Sequence, residues 1–238
     1  MSRKSKRNEK PQPEAARAQR GMSRGTIFLA AVVALVAAFA VGAVAWRSQQ
    51  EEATRQLVAR NAAHLAAPYA PTLGNAEAKV HIVEFLDPAC ETCATMFPHV
   101  KKLMAESPGH IRLSVRHVPF HQGSEHVVRA LEAAKTQDRY WQALEALFAS
   151  QDRWTVNHRV YPERIWPALE GAGLDLERIR REMNAADIAA RIEKDLADAS
   201  ALKVEKTPEY FVNGRPLPRF GLEELRTLVR EELRAAYP

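Results

Sequence analysis

Apolar side chains fall into three regimes along the chain. From Thr26 to Trp46 they run almost uninterrupted (TIFLAAVVALVAAFAVGAVAW), with no charge and no polar face. Twenty-one helical residues reach roughly 31 Å, the thickness of a bilayer core. Residues 47–67 (RSQQEEATRQLVARNAAHLAA) mix charge with Ala and Leu and suit a helical stalk, which Pro68 and Pro71 end; Gly74-Asn75 marks a turn. From Lys79 the pattern becomes that of a packed domain. Lys79–Leu86 (KVHIVEFL) predicts a buried strand, and Asp87-Pro88 breaks it. A helix opens around Cys90 and runs to Glu106, bent at Pro98. Ile111–Val118 alternates as a second strand. Helical periodicity dominates from Glu125 to about Leu202, with stops at Gly171 and Gly173. Glu209–Val212 predicts a third strand, Asn213-Gly214 a hairpin turn and Arg215–Arg219 its partner. Gly221–Tyr237 closes as an amphipathic helix. Strand, helix, strand, helical block, hairpin and helix make an α/β layout around one core.

Charge sharpens the division. The chain of 238 residues carries 34 Lys+Arg against 29 Asp+Glu, a net of +5. Eight bases and two acids lie in residues 1–25, while residues 47–238 carry 26 bases and 27 acids. The basic balance is a property of the tail, so it speaks for no nucleic-acid surface on the domain. A basic segment ahead of an apolar span orients the N-terminus to the cytoplasm and exports the remainder of the chain. The expected organisation is therefore 1–25 as an irregular cytoplasmic tail, 26–46 as a transmembrane anchor in the lipid bilayer, 47–72 as a stalk and 73–238 as the exported domain. Ala43-Val44-Ala45 also offers a signal-peptidase-like site, but the apolar run exceeds an ordinary signal core.

Two cysteines, Cys90 and Cys93, exclude a disulfide-rich scaffold. A bond between them closes too small a loop to act as a useful staple. Placed after a strand and opening a helix, they suit redox chemistry instead. The helix N-terminus stabilises a thiolate at Cys90, and Cys93, one turn on, can resolve a mixed disulfide. Glu84, in an otherwise apolar strand six residues earlier, and Thr207-Pro208, directly before a strand, accompany them. Half a zinc site also contains C-x-x-C, and His117 and His121 form H-x3-H. The spacer from Cys93 to His117 is longer than zinc fingers use, so no metal ligands are assigned and both histidines read as loop or surface polarity. Asp87 reads as a turn residue and Trp141, Trp154 and Trp166 as packing.

Taken together, VEFLDPACETC with Pro98, RHVPFH and KTPEYFVNGRPL resemble the DsbA-type thiol–disulfide oxidoreductases of the thioredoxin fold, in particular their membrane-anchored bacterial members. The resemblance covers about Leu73 to Tyr237. It implies a thioredoxin-like fold with a helical insertion near 122–202. It implies that Cys90 is the nucleophile and Cys93 its buried partner, that Glu84 is the buried acid assisting proton transfer at Cys93, and that Pro208 is a cis-proline. Thr207 would then pair with substrate backbone. Strongly oxidising members carry Pro-His between the cysteines. Here Glu91-Thr92 stands there, and a carboxylate beside Cys90 is expected to raise its pKa and weaken the oxidant.

The expected function is disulfide exchange on exported proteins, as an oxidase reoxidised by a membrane redox partner, without an organic cofactor and on the periplasmic side of the inner membrane. The alternatives are a membrane-tethered reductase or isomerase, and a non-catalytic metal-binding or chaperone module on the same fold.

Overall fold

A computed structural model describes residues 24–238. The expectation of an irregular tail falls outside the described residues, save for Arg24 and Gly25, which are helical. The chain divides into two compact units, one ending at Glu51 and one comprising Glu52–Pro238. A single helix, α1 (Arg24–Leu65), covers both the expected span and the expected stalk. No proline interrupts it, and it ends three residues before Pro68. Phe28, Leu35, Phe39 and Trp46 are exposed on it. Among the described residues it is the one helix long and apolar enough to cross a membrane.

The second unit is built on a five-stranded sheet. Its strands are β1 (Thr72–Gly74), β2 (Val80–Leu86), β3 (Ile111–His117), β6 (Glu209–Val212) and β7 (Arg215–Pro216), in the order β1-β3-β2-β6-β7. β2 and β3 are parallel, joined by the crossover helix α2 (Glu91–Glu106); β6 pairs antiparallel with β2. The turn expected at Gly74 is instead the end of an edge strand. Gly74 has φ +100°, and a Cβ there would lie 2.6 Å from the Ile111 carbonyl oxygen, so glycine lets β1 lie against β3.

Between β3 and β6 lie α3 (Ser124–Ala134), α4 (Tyr140–Ala149), α5 (Gln151–Trp154), α6 (Trp166–Gly171), α7 (Leu176–Glu182) and α8 (Ala186–Ala201). A small hairpin interrupts them, β4 (Thr155–Val156) and β5 (Arg159–Val160), turning on Asn157 and His158 at φ 49° and 59°. The C-terminal helix is α9 (Leu222–Ala236).

Both faces of the sheet are covered, which is why β2 is apolar apart from His81 and Glu84. Val80, Ile82 and Leu86 face a large core shared with α2, α9 and the insertion, including Met96, Val100, Leu131 and Trp154. Val83, Phe85 and Phe211 face a smaller one with Leu65, Ala199 and Val204. The polar positions of β3 are covered too. Arg116, completely buried, donates through Nε and one Nη to the carboxylates of Asp195 and Asp198 on α8, and through the other Nη to the His64 carbonyl oxygen at 2.9 Å. The alternation in IRLSVRHV therefore marks a buried ion cluster and not a solvated face. His117, expected to be surface polarity, is likewise buried, 2.9 Å from the Tyr140 hydroxyl and 3.4 Å from Glu132.

Candidate functional site

β2 delivers Glu84 to the large core, beneath the start of α2. Its side chain is fully buried, one carboxyl oxygen accepts from the Tyr210 hydroxyl at 3.1 Å, and the other, Oε2, has no partner among the described residues. A carboxylate so placed is hard to ionise. Burial pushes its pKa up to about 8, against the Tyr210 hydrogen bond.

Beyond Leu86 the chain turns through Asp87-Pro88-Ala89, with the Cys90 N–H donating to the Asp87 carbonyl oxygen at 3.0 Å. Cys90 has extended backbone (φ −78°, ψ 118°) and is the residue from which α2 starts. Both cysteines are free thiols; Cys90 is 7% exposed and Cys93 fully buried. The Cys90 sulfur lies 3.3 Å from the Thr207 carbonyl oxygen, and the Thr207–Pro208 peptide bond is cis. Residues from three separate parts of the chain, Glu84, Cys90/Cys93 and Thr207-Pro208, thus converge at one end of the sheet.

The two sulfurs are electrostatically unlike. Cys90 is drawn down to about 5, foremost by the hydrogen bond from the Cys93 thiol, then by the Thr207 side chain and the backbone N–H groups of Cys93 and Thr92, against its burial. Cys93 is raised well above the ordinary thiol range by burial, by its bond to Cys90 and by the nearby Glu84. Glu91 is not among the leading causes of this direction. That residue is exposed, where water screens its charge, and the helix-terminal amides and the partner thiol set the direction.

Asp87 is more than a turn residue. It is completely buried and four donors converge on it: the Ala89 N–H at 2.8 Å and the Ser124 hydroxyl on Oδ1, and the His121 N–H at 2.8 Å and ring Nδ1 at 2.7 Å on Oδ2. Gln151 holds the next residue by donating to the Pro88 carbonyl oxygen at 2.8 Å. The only local signal for Asp87 was its place three residues before Cys90; its side-chain partners on the far side lie more than thirty residues on. Among the described residues no group of His, Cys, Asp and Glu is arranged to hold a metal.

Comparison with known proteins agrees with this geometry. The thioredoxin family profile matches residues 66–231. Disulfide bond formation protein D of Bacillus subtilis is 27% identical over 173 residues, 69% of this chain and 77% of that protein. The Na(+)/H(+) antiporter NhaA of Herminiimonas arsenicoxydans is 33% identical over 144 residues, 60% of this chain, and the matching segment is 22% of that antiporter's length. The chain thus spans about a fifth of the antiporters it matches. Among solved structures, a thioredoxin-like oxidoreductase from Silicibacter pomeroyi superposes with a TM-score of 0.61 at 29% identity, covering 71% of this chain and 93% of that one. Oxidised BdbD from Bacillus subtilis does so at 0.63 and 25%, covering 71% and 95%. With its parallel β2–α2–β3 unit, antiparallel β6–β7 and a profile match over most of its length, this chain belongs to the thioredoxin family, and its structural neighbours include thiol–disulfide oxidoreductases of the DsbA type.

Proposed function

We propose that the chain is a thiol–disulfide oxidoreductase acting on exported proteins, with Cys90 as the reactive sulfur and Cys93 as its resolving partner. The observation that carries this is the asymmetry of the pair. One thiol is ionised at neutral pH at the start of a helix, and the other is held protonated in the core.

In the oxidase direction, a substrate thiolate attacks the Cys90 sulfur of the disulfide. The Cys90–Cys93 bond breaks, a mixed disulfide forms, and the electron pair goes to Cys93, which takes up a proton. A second substrate thiolate then attacks the substrate sulfur of the mixed disulfide and releases the Cys90 thiolate. The substrate loses two electrons and gains a disulfide, and the protein is left as the dithiol. Glu84, protonated near neutral pH and close to Cys93, is the proton donor for that sulfur. Thr207 holds the substrate backbone beside Cys90, in strand-like pairing next to Pro208. Stabilising the Cys90 thiolate stabilises the reduced form, and this favours accepting electrons.

The uninterrupted apolar helix near the N-terminus supports an anchor in the inner membrane over 26–46, with the stalk over 47–72 and the domain over 73–238 on the periplasmic side. A membrane redox partner then reoxidises the pair. The test is equilibration of the full chain, in detergent, with glutathione buffers, together with thiol alkylation of the protein taken from cells. An oxidising potential and a mostly oxidised pair support the oxidase. A mostly reduced pair assigns the reductase or isomerase direction, and disulfide exchange surviving Cys90→Ser refutes the catalytic reading.

A further inference from the structure

The dipeptide between the cysteines, Glu91-Thr92, brings no positive charge to the nucleophile. A histidine nevertheless stands near it, contributed by the loop after β3. We propose that His121 is a positioning residue for the redox step: anchored by Asp87 next to the Cys90 turn, its imidazolium stabilises the Cys90 thiolate. The proposal rests on Cys90 being the reactive sulfur.

The geometry is a chain of short links. The carboxylate of Asp87 accepts from the N–H of Ala89, the residue before Cys90, at 2.8 Å, and its carbonyl oxygen accepts from the Cys90 N–H at 3.0 Å. The other carboxylate oxygen accepts from both the backbone N–H and the ring Nδ1 of His121, at 2.8 and 2.7 Å. Three of the four groups on this carboxylate, the Ala89 and His121 N–H groups and the Ser124 hydroxyl, are donors, the set that an acceptor-only carboxylate takes, so its remaining partner donates too. Nδ1 therefore carries a proton, and Nε2 is the edge that gains or loses the second.

The loop that holds His121 is itself braced. Gly123, at φ +83°, lies where a Cβ would stand 3.2 Å from the Val160 Cβ, and the Val160 N–H donates to the Gln122 carbonyl oxygen at 2.9 Å. The hairpin β4–β5 is thereby fastened to the loop, and its turn residue His158 lies against the His121 ring, centroids 5.8 Å apart.

The charged and titratable groups around the imidazole are Asp87 from the turn after β2, Cys90 and Glu91 from the start of α2, and His158 and Arg159 from the hairpin. Three of the five favour a cation. The hydrogen bond to Asp87 leads in raising the His121 pKa, and Cys90 and Glu91 act in the same direction. Glu91, expected to oppose a thiolate, also raises the pKa of the neighbouring histidine. Coupling between two titrating groups is mutual, so whatever Cys90 does to His121, His121 does in reverse to Cys90.

The experiment uses the full chain in detergent. The Cys90 titration is followed by ultraviolet thiolate absorbance and by alkylation rate against pH, in wild type, His121→Gln and His121→Lys. Loss of the cation is expected to raise the Cys90 pKa by about one unit, and lysine to restore much of it. The glutathione equilibrium of His121→Gln should shift about tenfold toward the disulfide, the fold-change of one such unit. A structural latch alone would change stability and leave the titration in place, and an unmoved Cys90 pKa in a folded His121→Gln protein overturns the proposal. Should the variants fail to fold, wild type still decides. The His121 imidazole, followed by NMR, should titrate at lower pH in the disulfide form than in the dithiol form, and identical titration in both overturns the proposal. Wild type that transfers no disulfide, with the titrations shifting as expected, removes the oxidoreductase reading and leaves the role of His121 standing.

Discussion

Replacing Glu84 by glutamine removes one titrating group from the core while keeping its shape and the acceptor for Tyr210. Burial holds this carboxyl at about 8 in the folded dithiol form, against an ordinary value of 4.5. A difference of about 3.5 units corresponds to ~5 kcal/mol. The sign follows from which state holds the proton. Below 4.5 both folded and unfolded chains keep it, and stability is unaffected. Between 4.5 and 8 the unfolded chain releases the proton while the folded one retains it, so the native state loses stability as pH rises; above 8 the loss is complete and constant. At about pH 7 the deficit is ~3 kcal/mol. Cys90 acts in the opposite sense, since its folded pKa of about 5 lies below the ordinary 9.0, but it is present in both proteins and largely cancels in their difference. The amide introduced by Glu84→Gln adds a pH-independent cost of about 1–3 kcal/mol, because the site of Oε2 has no partner to offer its N–H groups. The informative quantity is therefore how the difference in unfolding free energy changes with pH. Urea titrations of the reduced full chain and of Glu84→Gln are expected to show the variant gaining ~3 kcal/mol relative to wild type between about pH 4 and pH 7. A difference that stays flat across that range refutes the buried, proton-holding carboxyl.

Iodoacetamide should alkylate Cys90 at a rate that is nearly level above about pH 6 and falls below its pKa, whereas an unperturbed thiol speeds up about tenfold per unit; mass spectrometry should find Cys93 unmodified in the folded protein. Arg116→Met leaves Asp195 and Asp198 buried without their guanidinium and should cost ~3–5 kcal/mol in denaturant unfolding, with part recovered when both aspartates become asparagine. Gly123→Ala forces a side chain into a left-handed backbone against Val160 and should lower stability by ~1–3 kcal/mol; an unchanged unfolding midpoint counts against the bracing of that loop.

The fold is legible where periodicity is strong. VHIVEFL, the buried positions 93, 96, 97, 100 and 103 of α2, and the amphipathic C-terminal helix announce themselves locally. β1 and the β4–β5 hairpin are too short to carry a period, although Asn157-His158 is a turn-prone pair. His117 misleads because alternation in a strand says which residues share a face, not what covers that face; its ring is covered by Glu132 and Tyr140 of α3 and α4, and the opposite face, with Arg116, by α8 some eighty residues later. The same limit hides Asp87. Cysteine spacing and helix placement point to the reactive pair from a dozen residues, but a carboxylate's partners at positions 121 and 124 exist only once the insertion has docked.

The contact between the Cys90 sulfur and Thr207 spans 117 residues of sequence. Contacts of such separation form late, after the intervening chain has closed its loops. Synthesis proceeds from the N-terminus, so the cysteines emerge long before the segment that flanks them. Until that segment docks, Cys90 lacks the Thr207 contribution to its lowered pKa, while the Cys93 thiol and the helix-terminal amides are already beside it. The surroundings of Cys90 are thus completed only with β6, the strand that follows Thr207-Pro208 and closes onto β2.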